Sequence, residues 1–187
     1  MTSAEITVFP VSRQVSFHQM LGEAREKWLI DAVRGTAARV DPIELKRQLA
    51  EFAPADAQQI LASNGIRDEE VFPTPILLEA QPTLVGYYRL LLGVGQKGSY
   101  RGGTGMGPLK SMETTGILRA NQRTLIPQFC TAMGQALATL IRQLSPMVTA
   151  RDVHELPLLT LGANFKELAM SAWGSRHPQM CFWRLTR

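Results

Sequence analysis

The stretch LVGYYRLLLGVGQKGSYRGGTGMGPLKSMETTG, Leu84–Gly116, joins an aromatic and apolar run to a loop rich in glycine. It contains nine glycines, and Glu113 is its one acidic residue. Glycine lets backbone N–H groups approach an anion closely, and basic side chains supply positive charge. The basic residues here are Arg89, Lys97, Arg101 and Lys110. The stretch therefore predicts a surface for phosphate groups, with nucleic acid as partner and a small phosphorylated substrate as the alternative.

The segments around this stretch carry helix signals. Ser16 and Gln19 match a capping box before an amphipathic segment, and Asp41-Pro42 is typical of a helix start. Residues 54–65 predict a short helix that ends at Asn64-Gly65. Residues 125–144 predict the clearest amphipathic helix, with Phe129, Met133, Leu137, Leu140 and Leu144 on one face. The fold class expected from these segments is mainly α.

Other segments predict a few short strands or leave the assignment open. Residues 71–82 contain three prolines, which favours an extended edge strand. Residues 82–93 predict a helix with Pro82 in its first position, although a buried strand has the same pattern. Thr149 is predicted to cap a short last helix, and the run LPLLTLG at 156–162 predicts a strand.

Composition narrows the class of protein. The 187 residues suffice for one domain, no apolar run approaches a membrane span, and the N-terminus lacks a secretory pattern. Two cysteines show no disulfide or metal spacing, so a cytoplasmic location is expected. Residues 1–81 carry eight Lys/Arg and twelve Asp/Glu, whereas residues 82–187 carry twelve and four. The net charges of −4 and +8 predict that the second part meets an anionic partner.

Several motifs match known functional sites in part, but each has a simpler structural explanation. Gly93-Val-Gly95-Gln-Lys-Gly98 matches the dinucleotide fingerprint, but the glycines and proline that follow exclude the helix this fingerprint requires. Glu44-Leu45-Lys46, with Asp31, resembles part of a Mg²⁺ nuclease signature, yet Glu44 is better explained as a helix-start acid. Two further candidates are the thiol of Cys130 as a nucleophile and Tyr87-Tyr88 as a base-stacking pair, for which core packing is the favoured interpretation.

The block QPTLVGYYRLLLGVGQKGSYRGGTGMGPLKSMETTG resembles bacterial type II restriction endonucleases, most closely the XcyI-like family. Supporting stretches run from about Arg13 to Asn164, and they include LIPQFCTAMGQAL and ELPLLTLGAN. One departure is that this chain has Gly95, Gly98 and Ser99 around the Gln-Lys pair, where the family has serine and an aromatic residue. The geometry of the loop is therefore the least transferable part of the resemblance.

The resemblance implies a homodimeric enzyme that cleaves palindromic double-stranded DNA at CCCGGG with Mg²⁺, in a bacterial cytoplasm. It also implies an α/β PD-(D/E)xK core, of which the chain shows no convincing copy; residues 1–165 are expected to form its helical N-terminal portion. The predicted DNA-binding residues are Lys97, Tyr100, Arg101, Lys110 and Arg89. The catalytic residues are unknown and expected beyond Phe165. A non-catalytic helical DNA-binding or interaction module is the alternative.

Residues 166–187 are unlike the rest of the chain, since they hold two of the three tryptophans and no amphipathic period. Reading each codon's third base with the next codon's first two forces a glycine after Trp173 and a valine after Met180. The shifted reading resembles an ordinary helical sequence. We therefore predict that the frame is broken near Phe165 or Lys166 and that the catalytic core is lost; a native, divergent tail is the alternative.

Overall fold

The computed structural model describes residues 29–145 and 147–163, together with Gln19 and Gly22. This part of the chain is helical and contains no strand. The α-helices are α1 (Ile30–Ala37), α2 (Pro42–Phe52), α3 (Ala55–Ser63), α4 (Pro75–Ala80), α5 (Leu84–Leu91), α6 (Gln96–Ser99), α7 (Lys110–Thr115), α8 (Ala120–Arg123), α9 (Ile126–Leu144) and α10 (Ala150–Ala163). Two 3-10 turns lie at Asp68–Glu70 and Gly107–Leu109. The mainly α prediction is confirmed, whereas the few short strands are not found here.

Helix α5 is the centre of the fold. All eight of its residues are buried, and α1, α4, α7, α9 and α10 pack around it. A helix that is apolar on nearly every face is stable only inside a core. This packing resolves the helix-or-strand ambiguity of residues 82–93, although the helix begins at Leu84, two residues later than predicted.

Helix α9 supplies the longest apolar face. Phe129, Met133 and Leu137 are buried, as the amphipathic pattern predicts, while Leu140 and Leu144 are half-buried at its edge. The helix packs against α2, α3, α4 and α5. It approaches α2 so closely that a Cβ atom added to Gly134 would lie 2.4 Å from the carbonyl oxygen of Phe52.

Two helix boundaries confirm local sequence signals. The Asp41 carboxylate accepts a hydrogen bond from the Ile43 N–H at 3.0 Å, and Pro42 is the first residue of α2. Helix α3 ends at Ser63, and Gly65 follows with a φ of +66°, which other residues rarely adopt. The predicted capping box at Ser16 lies outside the described residues, as do residues 166–187.

The strand predicted for residues 71–82 is wrong, because this segment contains α4. Thr74 is extended, and Pro75 occupies the first helical position, where its missing N–H has no partner to lose. The Gln48 side-chain oxygen accepts a hydrogen bond from the Ile76 N–H at 2.8 Å and caps the start of the helix. The prolines therefore mark a helix start rather than an edge strand.

The strand predicted for residues 156–162 is also wrong, because α10 continues to Ala163 with Pro157 inside it. Thr149, the residue before this helix, does cap it: its hydroxyl accepts a hydrogen bond from the Asp152 N–H at 3.3 Å, and its own N–H and hydroxyl each donate to the Asp152 carboxylate at 2.7 Å. Helix α10 packs on α5, and Leu161 joins Leu29 and Leu90 in a small apolar cluster. The apolar residues of this run thus pack against helix α5 and not against a neighbouring strand.

A polar cluster fastens α1 and α10 to the first 3-10 turn. Arg34 Nε donates to the buried Glu70 carboxylate at 2.8 Å, and His154 Nε2 lies 3.8 Å from the other carboxylate oxygen. The Tyr87 hydroxyl donates to the Glu70 carbonyl at 2.7 Å, and the Tyr88 hydroxyl donates to the Glu69 carbonyl at 2.9 Å. Both tyrosines are fully buried, so core packing, not base stacking, accounts for this pair.

Candidate nucleic-acid interface

A buried ion pair lies where the glycine-rich loop leaves the core. Arg89 of α5 and Glu113 of α7 are 3% and 8% exposed. Arg89 Nη2 and Nε donate to the two oxygens of the Glu113 carboxylate at 2.8 and 3.1 Å. Because a bidentate arginine–carboxylate pair fixes both distance and orientation, it holds α5 and α7 in a defined position.

Two residues of the loop bind the same carboxylate. Gln96 Nε2 donates to Glu113 Oε1 at 3.0 Å, and the Tyr100 hydroxyl donates to Oε2 at 2.5 Å. Burial, reinforced by the negative charge of Glu113, raises the pKa of Tyr100, so this hydroxyl remains a donor. The Glu113 carboxylate therefore binds Arg89 of α5, Gln96 of α6 and Tyr100. We call these four residues, Arg89, Gln96, Tyr100 and Glu113, the Glu113 clamp.

Two glycines allow this clamp to form, one through its lack of a side chain and one through its backbone angle. A Cβ atom on Gly86 would lie 2.9 Å from both Cγ and Cδ of Glu113, so only glycine admits the carboxylate against α5. Gly93, with a φ of +70°, turns the chain after α5. Arg89 Nη1 consequently donates to the Val94 carbonyl, which ties the turn to the clamp.

The exposed part of the loop is held at its two ends. The Thr104 hydroxyl donates to the carbonyl of Ser99 at 2.7 Å or to that of Arg101 at 2.9 Å. Further on, Gln122 Nε2 donates to the Pro108 carbonyl and the Ser111 hydroxyl, both at 2.6 Å. The loop is therefore anchored where it starts and where it ends, and its apex around Gly102 and Gly103 is exposed.

The structure divides the five predicted DNA-binding residues into two groups. Lys97, Arg101 and Lys110 are exposed along the loop and at the start of α7. Arg89 is buried in the clamp, and Tyr100 is half-buried with its hydroxyl on Glu113. DNA contact by these residues stays a prediction, but only the first group lies on the outer surface.

Sequence reasoning missed the role of Glu113, Gln96 and Gln122. One signal was available for Glu113, because it is the only acidic residue between Glu79 and Asp152. A lone carboxylate among many cations is a natural partner for the one arginine inside an apolar run. No comparable signal marks Gln96 or Gln122, whose roles depend on the path of the loop.

The described residues do not fit a Mg²⁺ site. They contain no group of three or more His, Cys, Asp or Glu side chains that could hold a metal ion. Both oxygens of Glu113 already accept hydrogen bonds. Glu44 lies in the first turn of α2, where hydrogen bonds from Arg47 and Gln48 lower its pKa to about 2, which agrees with the helix-start interpretation.

A cysteine nucleophile and a membrane-spanning helix are two further possibilities that the structure bears on. Cys130 is buried, and burial raises the pKa of its thiol, which disfavours the thiolate needed for nucleophilic attack. Across the described helices, none is both long and apolar enough to cross a membrane. Within this part of the chain, the clamped basic loop is thus the feature with the clearest binding chemistry.

Tyr100→Phe is expected to lower the free energy of unfolding by about 1.5 kcal/mol, because it removes a hydrogen bond to a buried charged group. Chemical unfolding followed by circular dichroism measures this change. Tyr88→Phe is the comparison, since its hydroxyl donates to a neutral carbonyl and a smaller loss is expected. A Tyr100→Phe protein as stable as the unsubstituted one would show that the Tyr100 hydroxyl contributes nothing to the clamp.

Comparison with known proteins identifies the class. The sequence model of the XcyI restriction endonuclease family matches residues 18–182. This match covers most of the chain, which therefore belongs to the XcyI restriction endonuclease family. It extends beyond Phe165, and it includes both the clamp and the loop.

Two relatives are similar over most of the chain. The type II restriction enzyme Cfr9I of Citrobacter freundii is 36% identical over 163 residues, which is 85% of this chain and 49% of the relative. The type II restriction enzyme XcyI of Xanthomonas campestris pv. cyanopsidis is 34% identical over 168 residues, 88% of this chain and 50% of the relative. The chain thus spans about half the length of these relatives. No solved structure matches it significantly.

Proposed function

We propose that this chain belongs to a type II site-specific deoxyribonuclease that cleaves double-stranded DNA at a GC-rich palindrome such as CCCGGG. The observation that carries the proposal is the family match over residues 18–182, together with two relatives that are type II restriction enzymes. A palindromic site has two-fold symmetry, which a homodimer matches with two copies of one surface. We therefore propose a homodimer acting in the bacterial cytoplasm.

The exposed cations of the loop are proposed to bind the DNA. Arg101 lies near the glycine-rich apex, and its planar guanidinium suits the O6 and N7 acceptors of guanine in the major groove. Lys97 and Lys110 are proposed to bind backbone phosphates, for which a compact ammonium group is sufficient. Arg89 and Tyr100 then act indirectly, because the clamp determines where the loop starts.

Mg²⁺ is the metal expected for this family, and it would activate the water that attacks the phosphodiester. The donor set of the described residues does not fit this ion, so we assign no catalytic step to them. The catalytic carboxylates are proposed to lie beyond Phe165. The frame break at 166–187 stays a prediction, although the family match includes residues up to 182. Sequencing the gene and its downstream DNA tests it.

The proposed roles predict different effects of two substitutions. Arg101→Gln is expected to weaken binding to a CCCGGG duplex by about 1–3 kcal/mol and to reduce the preference over a scrambled duplex. Lys110→Gln is expected to weaken binding to both duplexes equally. Fluorescence anisotropy with the two duplexes measures these affinities. Equal losses on both duplexes for Arg101→Gln would remove the guanine assignment.

A matched control and a cleavage assay complete this test. Arg67 is exposed and lies outside the loop, so Arg67→Gln should leave both affinities unchanged. Incubation of the chain with Mg²⁺ and a CCCGGG plasmid separates the proposed nuclease from the second candidate, a non-catalytic DNA-binding module. Binding without cleavage would support the second candidate.

A further inference from the structure

The charge of the loop region extends beyond the loop. Between Glu79 and Asp152 the chain has one acidic residue, Glu113, and its charge is compensated inside the core by Arg89. The exposed charges of this part are therefore positive. They are Lys97, Arg101, Lys110, Arg119, Arg123, Arg142 and Arg151. Two of them, Arg119 and Arg123, lie at the two ends of the α8 segment and have no role in the clamp.

The structure brings α8 next to the end of the loop. Gln122 is 2% exposed, and its side-chain nitrogen donates to the Pro108 carbonyl and the Ser111 hydroxyl at 2.6 Å. Its side-chain oxygen accepts a hydrogen bond from the Arg119 N–H at 2.8 Å. One buried amide thus fixes the backbone at Arg119 against the two residues that flank Leu109 and Lys110.

The side chains of Arg119 and Arg123 are available to a partner. Both residues are exposed. Arg123 Nε lies 3.8 Å from a Glu79 carboxylate oxygen, with 64% and 41% of the two side chains exposed. An exposed pair at this distance contributes little and is easily exchanged for another anion. Arg142 differs, because it makes two hydrogen bonds to Asp56, at 2.6 and 2.9 Å.

We propose that Arg119 and Arg123 form, with Lys110, a phosphate-binding surface that extends the loop's contact with the same DNA duplex. The proposal rests on the proposed DNA-binding function. Its chemistry is that of the DNA backbone: the Gln122 anchor holds α8 in place, and guanidinium groups bind phosphate oxygens through paired hydrogen bonds. Such contacts position the duplex and are independent of base sequence. The loop apex, held only near its ends, is left to contact the bases.

The test uses the salt dependence of duplex binding by the full 187-residue chain. Each phosphate contact contributes about 0.9 to the slope of log affinity against log salt concentration. Arg119→Gln/Arg123→Gln should therefore reduce the magnitude of this slope by about 1.8 for each bound protomer, equally for CCCGGG and scrambled duplexes. Lys46→Gln/Arg67→Gln removes the same charge from exposed positions on α2 and beside the first 3-10 turn, and it should leave the slope unchanged.

The outcomes are distinguishable. A slope reduced in the Arg119/Arg123 variant alone, with an unchanged melting temperature, supports the phosphate-binding surface. An unchanged slope, with normal DNA binding by the unsubstituted chain, overturns this inference and leaves the proposed function standing. Equal reductions in both double variants also overturn it, because they indicate a general charge effect. If the unsubstituted chain shows no salt-dependent duplex binding, the proposed function fails, and this inference fails with it.

Discussion

Glu113→Ala is expected to lower the free energy of unfolding by about 3–5 kcal/mol, the typical cost of removing one partner from a buried ion pair. Arg89, which is 3% exposed, would keep its charge in the core without a compensating carboxylate. Gln96 and Tyr100 would also lose the acceptor that they share. Urea unfolding monitored by circular dichroism gives the value directly.

Two companion variants separate the causes of this loss. Arg89→Met/Glu113→Leu replaces both charged side chains with apolar ones. This double variant should therefore regain most of the stability that Glu113→Ala loses. Glu155→Ala removes a carboxylate from an exposed pair with Arg151 and should change stability little. A Glu113→Ala protein as stable as the Glu155→Ala protein would contradict the clamp as a structural element.

The double variant also tests how the clamp serves DNA binding. Arg89→Met/Glu113→Leu leaves Lys97, Arg101 and Lys110 in place but removes the attachment of Gln96 and Tyr100. We expect a stable protein with a weaker preference for CCCGGG over scrambled DNA, because the loop apex is less ordered before binding. A stable double variant with an unchanged preference would show that the loop does not need the clamp to select its site.

Gly134→Ala is expected to lower the free energy of unfolding by about 3 kcal/mol, at the upper end of ordinary overpacking costs. The added Cβ would lie 2.4 Å from the Phe52 carbonyl oxygen, which is a backbone atom and cannot rotate away. Helices α9 and α2 must therefore separate. Thermal and chemical unfolding both measure this change.

The control for Gly134→Ala has the opposite expected sign. Gly35 lies inside α1, where the nearest atom to an added Cβ is Arg39 Nη1, at 3.5 Å on a flexible side chain. Alanine is the better helix former, so Gly35→Ala should stabilise the protein by about 0.5–1 kcal/mol. If Gly134→Ala stabilised the protein to the same extent, the close approach of α9 to α2 would be disproved.

The helix starts and ends that the sequence predicted depend on local chemistry. Asp41-Pro42, Asn64-Gly65 and Thr149 each act through bonds or backbone angles within a few residues. A signal of this kind is complete in the sequence itself. The amphipathic face of α9 was predictable for a similar reason, since its period of 3.6 residues extends over five turns.

The two wrong strand predictions depend on contacts between distant residues. Pro75 begins a helix because the side chain of Gln48, 28 positions before Ile76, accepts the hydrogen bond of the Ile76 N–H. The apolar run at 156–162 is helical because it packs on α5, and no period in seven residues reports that contact. The helix-or-strand choice for short apolar runs is made by the surface they pack on.

The candidate site was predictable in position but not in detail. Clustered glycines and cations located the loop, and three of the five named residues are exposed there. Arg89 resembled the others in the sequence, yet its partner Glu113 is 24 positions away and on another helix. Which basic residues are exposed depends on which of them pairs with Glu113 in the folded protein. The composition of the loop does not contain this information.

The loop between Arg89 and Glu113 can change in sequence during evolution more easily than the helices that hold it. The clamp and the Gln122 anchor hold both ends of the loop, while its apex contributes little to the core. The entropy cost of closing a loop grows only slowly with its length. Insertions or replacements at the exposed Gly102 and Gly103 can therefore accumulate at small cost to folding. Evolution can alter what the apex meets while the rest of the domain stays the same.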